Sequence, residues 1–443
     1  MISFRHDTRD VAHGGVASVG ATGRIRVGLA VSVLLLAAGS TLAQEKAPDP
    51  PPKAQRGSLA GPDQVDNLLQ QDALPVEPLI EFVFLKPYFD FKARVREKTG
   101  LSFSIDYTTV VLGATQSLGE ASAGSGMVRF YGSWGLVGRD GASNTGAFIY
   151  KIENRHAYTN LAPFDFGFEI GYAGLFEPPF SDQRWRATNI YWRQTFADSR
   201  FVVLGGFLDT TDYVDVYGLA SPWLHFMNFA FSTGSASIAT PGDATFGVAG
   251  GAWLSDNVFV IASLADANAD PTKPFDGLDS FFSQQEYFKN VDIGWTSSRE
   301  RAYFDNIHLT YWHADERVEA GVPSGWGVAG SFTLFPGDKW MPFVRGGYSK
   351  DGGSLLQKSL SAGFAFQPHP EFDLFGFGFN WGEPNETTFQ PGLRDQFSAE
   401  AFYRFRLAEN LALTPDLQWI LHPALNPDVD SLWVFGIRAR LSL

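Results

Sequence analysis

Residues 411–443 read LALTPDLQWI LHPALNPDVD SLWVFGIRAR LSL. Two runs in this stretch alternate between apolar and polar positions. In the second, Trp433, Phe435, Ile437, Ala439, Leu441 and Leu443 share one face, and Arg438, Arg440 and Ser442 share the other. In the first, Leu411, Leu413, Leu417 and Trp419 oppose Thr414, Asp416 and Gln418. A period of two is the signature of a β-strand, whose side chains point to alternate faces. A soluble sandwich would give the same alternation. The sequence ends on the strand without a tail, which favours a barrel whose last strand closes against its first.

Working outward, the same pattern recurs from Leu101 onward, in segments 101–110, 127–137, 146–156, 164–172, 185–196, 200–209, 244–254, 257–265, 287–296, 302–312, 326–335, 340–349, 355–366, 372–381, 396–407, 411–420 and 431–442. Most have the length at which a tilted strand crosses a bilayer. Beyond residue 184 short and long joins alternate: turns such as Ala197-Asp198-Ser199 and Ala408-Glu409-Asn410, against connections 210–243, 266–286, 313–325, 382–395 and 421–430, with 350–354 the weakest case. Short turns at one rim and long loops at the other describe an outer-membrane barrel. If both ends lie on the same side, the strand number is even. The 185–196 segment ends in a short turn, so three strands precede it, and either 146–156 or 164–172 is not a strand. Pro163 and the Pro178-Pro179 pair bracket 164–172, which favours that segment as loop. The expectation is an all-β fold: a 16-stranded antiparallel transmembrane barrel over residues 101–443, wide enough for an aqueous channel.

Composition agrees. Aromatic residues make up 15% of the chain, there are 46 glycines, and the mean hydropathy is −0.09. Strands that are only half apolar give such values, and no second run is long enough for a membrane helix. There is no cysteine, which excludes a disulfide framework and thiolate chemistry. At the N-terminus, Arg24 and Arg26 precede an apolar run from Val27 to Ala38, and Thr41-Leu42-Ala43 offers a cleavage site before Gln44. This reads as an export signal over 1–43; an uncleaved anchor helix is the alternative. Residues 44–62 are rich in proline and small polar residues, Asp63–Asp72 has helical character, and 88–99 reads as a short periplasmic helix stopped by Gly100. Residues 44–100 thus form a periplasmic lead-in. The net charge is −14, and residues 1–43 carry four Arg and two Asp, so the exported chain stands at −16. That balance argues against a nucleic-acid partner.

Chemistry-bearing motifs are missing: no Gly-x-Ser-x-Gly elbow, no His-Glu-x-x-His and no phosphate-cradling loop occurs. Asp266, Asn268 and Asp270 resemble half of a calcium loop without its glycine and closing glutamate, and are read as ordinary acidic loop. No cofactor is expected. Functional candidates are therefore the charges on the polar sides of the strands: Arg129, Arg193, Asp292, Arg345, Glu400, Arg404, Asp416, Arg438 and Arg440, with Glu169 in the disputed segment. Mixed arginines and carboxylates around a pore offer donors and acceptors to solute hydroxyls. Each could equally pair with a neighbour and merely hold the wall. The 210–243 connection, with Tyr213, Tyr217, Trp223, Phe226, Phe229 and Phe231, is too apolar for a solvated loop and must pack. Folded inward, it narrows the pore and offers aromatics such as Trp223 to sugar rings; packing on the rim or on another subunit is the other outcome.

Several ordered motifs resemble the carbohydrate-selective porins of the OprB type: GYAGLFEPPFSDQRWRATNIYWRQTF (171–196), GFLDTTDYVDVYGLASPW (206–223), FSTGSASI (231–238), LADANADP (264–271), LTPDLQWILHPALNP (413–427) and WVFGIRAR (433–440). The resemblance implies a 16-stranded outer-membrane porin that passes sugars by diffusion, narrowed by inward loops. It covers most of the region from 101 onward. The stretch KPYFDFKARVREKTG (86–100) departs from the usual start of the family's helix, and the chain ends in Leu443 where such barrels often end in Phe. Expected partners are permeating sugars, outer-membrane lipid and two further copies of the chain in a homotrimer. The competing expectation is a general or anion-preferring porin, since six of the candidates are arginines.

Overall fold

Sixteen of the seventeen alternating segments are strands in the computed structural model of the chain, which describes residues 59–73, 79–139, 142–368 and 373–443. The strands are β1 (Leu101–Ala114), β2 (Ser122–Val137), β3 (Thr145–Ala157), β4 (Arg184–Phe196), β5 (Phe201–Leu208), β6 (Thr245–Trp253), β7 (Val258–Asp266), β8 (Tyr287–Thr296), β9 (Asn306–Ala314), β10 (Gly325–Thr333), β11 (Trp340–Lys350), β12 (Leu356–Phe366), β13 (Leu374–Pro384), β14 (Gln396–Ala408), β15 (Leu411–Leu421) and β16 (Ser431–Ser442). Each pairs antiparallel with its sequence neighbours, and β1 pairs with β16 from Asp106 opposite Ser442 to Ala114 opposite Val434, closing the barrel. The expected leader at 1–43, the linker up to 58 and residues 74–78 lie outside the described residues.

Alternation decides which side chains face out. In the last hairpin Leu417, Trp419, Trp433, Phe435 and Ile437 are exposed on the outer wall, while Asp416, Gln418 and Arg438 are buried inside. Trp419 and Trp433 sit opposite each other in register and stack with ring centroids 6.0 Å apart. The same apolar girdle continues through Val291, Ile293, Trp295, Ile307 and Leu309. The sequence of β5 is apolar on both faces. The reason is that its inward residues Val202 and Leu204 pack on the buried apolar cluster inside the barrel instead of meeting water.

The disputed segment is not a strand. It contains helix α3 (Pro163–Glu169), with Pro163 in its first turn, where a missing N–H costs nothing. Phe166 and Ile170 are both fully buried, and the Ile170 N–H closes the last turn on the Phe166 carbonyl at 3.1 Å. β2 starts five residues earlier than the alternation suggested, because Ser122–Gly126 holds only small residues and shows no contrast between faces.

Three more helices complete the fold. We number them in chain order: α1 (Val65–Asp72) and α2 (Lys86–Thr99) before the barrel, and α4 (Asp276–Ser283) in the β7–β8 connection. α2 ends where expected, on Gly100 in the left-handed region at φ 76°, whose N–H bonds Arg96. α4 folds over the outer wall, where Phe275 and Phe281 pack on Phe207 and Phe246. α1 lies inside the barrel, and so does the β5–β6 connection, residues 209–244. These two segments supply most of the apolar groups that the inner wall buries, including Val65, Leu68, Trp223, Met227 and Phe231.

Candidate functional site

β5 stops after eight residues, which delivers the 209–244 connection to the interior partway along the wall. It is anchored there by ion pairs and hydrogen bonds to seven strands. At one end Lys151 on β3 lies 3.6 Å from Asp212 and 4.0 Å from Asp209. In the middle, Asp215 forms an ion pair with Arg345 on β11 and a 2.8 Å hydrogen bond with His308 on β9. The Asp215 N–H donates to Asp292 on β8 at 3.1 Å. Further on, Ser235 bonds Ser359 and Ser361 on β12, and Glu400 on β14 accepts from the N–H groups of Met227 and Asn228. Arg404, also on β14, donates to the Leu224 carbonyl at 3.3 Å. Arg438 on β16 donates to Glu177 at 2.6 Å and to the carbonyls of Pro222 and His225 at 2.8 and 2.9 Å. A charge on one partner makes such bonds stronger than neutral ones, and all of these side chains except Arg404 are buried.

The segment's aromatics are used on one another. Phe226 lies 4.6 Å from Phe231 and 5.0 Å from Phe402, and Tyr217 lies 5.6 Å from Phe343. Arg345 stacks 3.8 Å above the Tyr217 ring. Trp223 is buried, with the Arg129 guanidinium at 4.4 Å and the Lys151 ammonium at 5.3 Å from its ring. Two cations therefore occupy the region over the ring offered to sugars.

The second inward segment, residues 59–73, meets the wall near the short turns. Arg193 pairs with Asp66, and Arg440 with Asp72 at 2.8 Å and Asp106 at 2.8 Å. Tyr131 donates to Asp72, Gln64 to Tyr191 at 3.2 Å, and Arg406 to the Gln71 carbonyl at 3.2 Å. The lead-in is thus not wholly periplasmic; this part of it lines the interior. The two inward segments also touch, through the Gly61 N–H and the Asp212 carbonyl.

Of the eleven candidates, nine strand residues point inward as their alternation required: Arg129, Arg193, Asp292, Arg345, Glu400, Arg404, Asp416, Arg438 and Arg440. All have partners inside the protein, Arg129 through Asp106 and Asp416 through Gln418. Trp223 is inward by way of the folded connection. Glu169 is placed differently: it ends α3 at the long-loop rim, where it accepts from the Glu120 N–H at 2.9 Å and ties the β1–β2 connection down. It does not belong to the strand wall, because its segment is helical.

Sequence reading missed a charged ladder on the neighbouring strands. Lys151, Glu153 and Arg155 alternate on β3, and Arg155 and Arg186 converge on Asp243. The signal was present as charge at every second position of 151–155. His308, on the polar face of β9, is hydrogen-bonded to Asp215. The carboxylates of the inward segments are perturbed by their burial. Burial, with Asp243 and Asp212 nearby and Lys151 opposing, pushes Asp209 up to about 8; burial raises Asp63 to about 7 and Asp212 to about 6. Burial disfavours the Asp215 anion, but Arg345 and His308 hold it below the usual carboxylate range.

Among the described residues no cluster of three or more His, Cys, Asp or Glu could hold a metal ion. In the calcium-like run, Asp266 accepts from Ser280, and Asp270 from the Thr272 N–H. The polar groups of the site are arranged as a wall around the two inward segments.

Residues 308–443 match the family model described as carbohydrate-selective porin, OprB family. This range takes in most of β9 and all of β10 to β16. No curated protein matches the chain. Among solved structures, the high-pH structure of Pseudomonas putida OprB is similar with a TM-score of 0.62 at 15% identity, covering 80% of this chain and 97% of that one. The low-pH structure of the same protein gives 0.48 at 14% identity, covering 80% and 96%. A double mutant of Rh. blastica porin gives 0.47 at 10% identity, covering 77% and 100%. The first of these shares the fold of a closed 16-stranded barrel.

Proposed function

We propose that this chain is a passive outer-membrane channel selective for sugars. The observation that carries the reading is a closed barrel narrowed by an inward segment, with five of the six candidate arginines held in ion pairs. Arg129 and Arg440 face Asp106 on β1, and Arg193, Arg345 and Arg438 face Asp66, Asp215 and Glu177 on segments folded against the wall. A lumen so paired presents dipoles and hydrogen-bonding groups with little net field, which suits a neutral polyhydroxyl solute. The family match over 308–443 supports the same substrate class. Weak contacts at several places serve transport better than one tight site, because release must be fast.

In this reading most of the eleven candidates act as positioning residues that hold the 209–244 segment. Arg193, Arg404 and Arg440 are the ones that keep partial exposure and are the best placed to meet a solute. Residues 1–43 act as a cleaved export signal, which N-terminal sequencing of the mature protein checks. The chain assembles as a homotrimer, readable from its mass in detergent, and catalyses no reaction.

Liposome swelling tests the sugar claim. Vesicles carrying the protein should swell faster in monosaccharides than in equally sized charged solutes. Equal rates would leave a porin without sugar selectivity. The anion-preferring alternative is disfavoured because five of its six arginines are ion-paired. A reversal potential near zero in a KCl gradient agrees with that, and a strongly anionic one would reinstate it.

A further inference from the structure

The segment from Leu79 to Thr99 leaves large apolar groups in the open: Phe84 is 76% exposed, Leu79 73% and Val83 64%, with Ile80 and Phe91 also exposed. It runs along the short-turn rim. The Ile80 N–H bonds the Leu407 carbonyl at the end of β14. Its other end reaches the outer wall, where Phe91 packs on Phe103 and the Trp134 indole donates to the Thr99 carbonyl at 3.1 Å. The apolar residues are thus continuous with the barrel's outer girdle. The helical part, Lys86–Thr99, carries five basic and two acidic side chains, inside a chain whose net charge is −14. Arg94, Arg96 and Lys98 are exposed.

We infer that residues 79–99 form an interfacial anchor that binds anionic phospholipid headgroups in the leaflet at the short-turn rim. Apolar groups at the start of the segment enter the acyl boundary, and the basic end of α2 meets lipid phosphates. A segment with aromatics and leucine on one side and lysine or arginine alongside lies in the plane of a membrane surface, held by buried apolar area and by anionic charge together. Long basic side chains reach the headgroups while their stems stay in apolar surroundings. The outer wall it adjoins is the lipid-facing one, so the inference rests on the membrane reading above. Water is a poor neighbour for Phe84 and Leu79, and the basic excess selects anionic over zwitterionic lipid.

The protein has no cysteine, so a single introduced thiol carries one nitroxide label. Phe84→Cys reports the anchor, Val111→Cys on the outer wall reports the bilayer interior, and Glu409→Cys in the β14–β15 turn reports water at the same rim. Accessibility to oxygen and to a nickel chelate is read in vesicles of phosphatidylcholine with and without phosphatidylglycerol. The expected result is that position 84 favours oxygen in anionic vesicles, as position 111 does. That preference is lost in zwitterionic vesicles and in the R94E, R96E, K98E variant. A position 84 as nickel-accessible as position 409 in anionic vesicles, with 111 still lipid-like, overturns the anchor. An oxygen preference independent of lipid charge overturns the headgroup selection. A water-like position 111 overturns the membrane reading itself, and the anchor with it.

Discussion

At the scale of single residues, Asp215 decides most. It is fully buried and faces Arg345 and His308, and it accepts from the Gly234 N–H at 2.5 Å. Asp215→Ala leaves a buried guanidinium without its anion, a change that costs about 3–5 kcal/mol when a buried pair is broken. The expected outcome is a loosened 209–244 segment, seen as higher single-channel conductance and faster proteolysis within the connection. A variant with wild-type conductance would mean that the pair does not hold the segment. Asp209 gives the pH dependence. Its carboxyl, like those of Asp63 and Asp212, titrates above the ordinary carboxylate value, so the packed state holds protons that the released segment would not. The contribution of these three groups to packing is therefore fully present below about pH 4 and is lost as pH rises through about 6 to 8, whereas that of Asp215, held low by Arg345, is lost only in acid. Lys151 is the nearby cation and cannot neutralise three carboxylates. Conductance should rise between pH 5 and 9, and Asp209→Asn should flatten that rise. That nine of the strand charges point inward was legible from alternation. Their partners were not, because Asp215, Glu177 and Asp72 lie on connections whose course no local pattern reveals.

At the scale of elements, α1 is the part whose role the sequence concealed. Asp63–Asp72 reads as a helix, but the prolines on either side make the region look like a solvated lead-in. Its counter-ions, Arg193 and Arg440, stand more than 120 and 360 residues further along the chain. Val65 and Leu68 are fully buried against the inner wall, and Leu68→Ala should weaken the docking of α1 by about 2–5 kcal/mol. Removal of residues 59–73 should widen the short-turn end of the lumen and raise conductance while the barrel still folds, as judged by heat-dependent gel mobility. Unchanged conductance would place the narrowest point elsewhere. The α3 segment shows the opposite case. Phe164, Phe166, Phe168 and Ile170 alternate as a strand would, yet strand parity read from turn lengths elsewhere required that either this segment or 146–156 be no strand, and the prolines at 163 and 178–179 pointed to this one. Counting connections outweighed the local pattern because the barrel must close on an even number.

At the scale of the whole molecule, the wall separates an apolar exterior from a charged interior, and the period-two pattern made that separation readable from the last hairpin outward. The contrast predicts asymmetric tolerance: Ile437→Arg, on the exposed outer face, should destabilise the barrel in bilayers by about 2–4 kcal/mol at mid-depth, measured by urea titration in vesicles. The interior's filling was not readable, since it depends on two segments folding back between strands distant in sequence. The central claim, a channel tuned to sugars by a neutralised and narrowed lumen, is tested most directly by single-channel current in a planar bilayer with sugar titrated in. The account predicts open-channel current that falls in a saturable way with added mono- or disaccharide, and falls less in a variant lacking the Arg404 guanidinium. A current unaffected by any sugar beyond its effect on solution viscosity would contradict it.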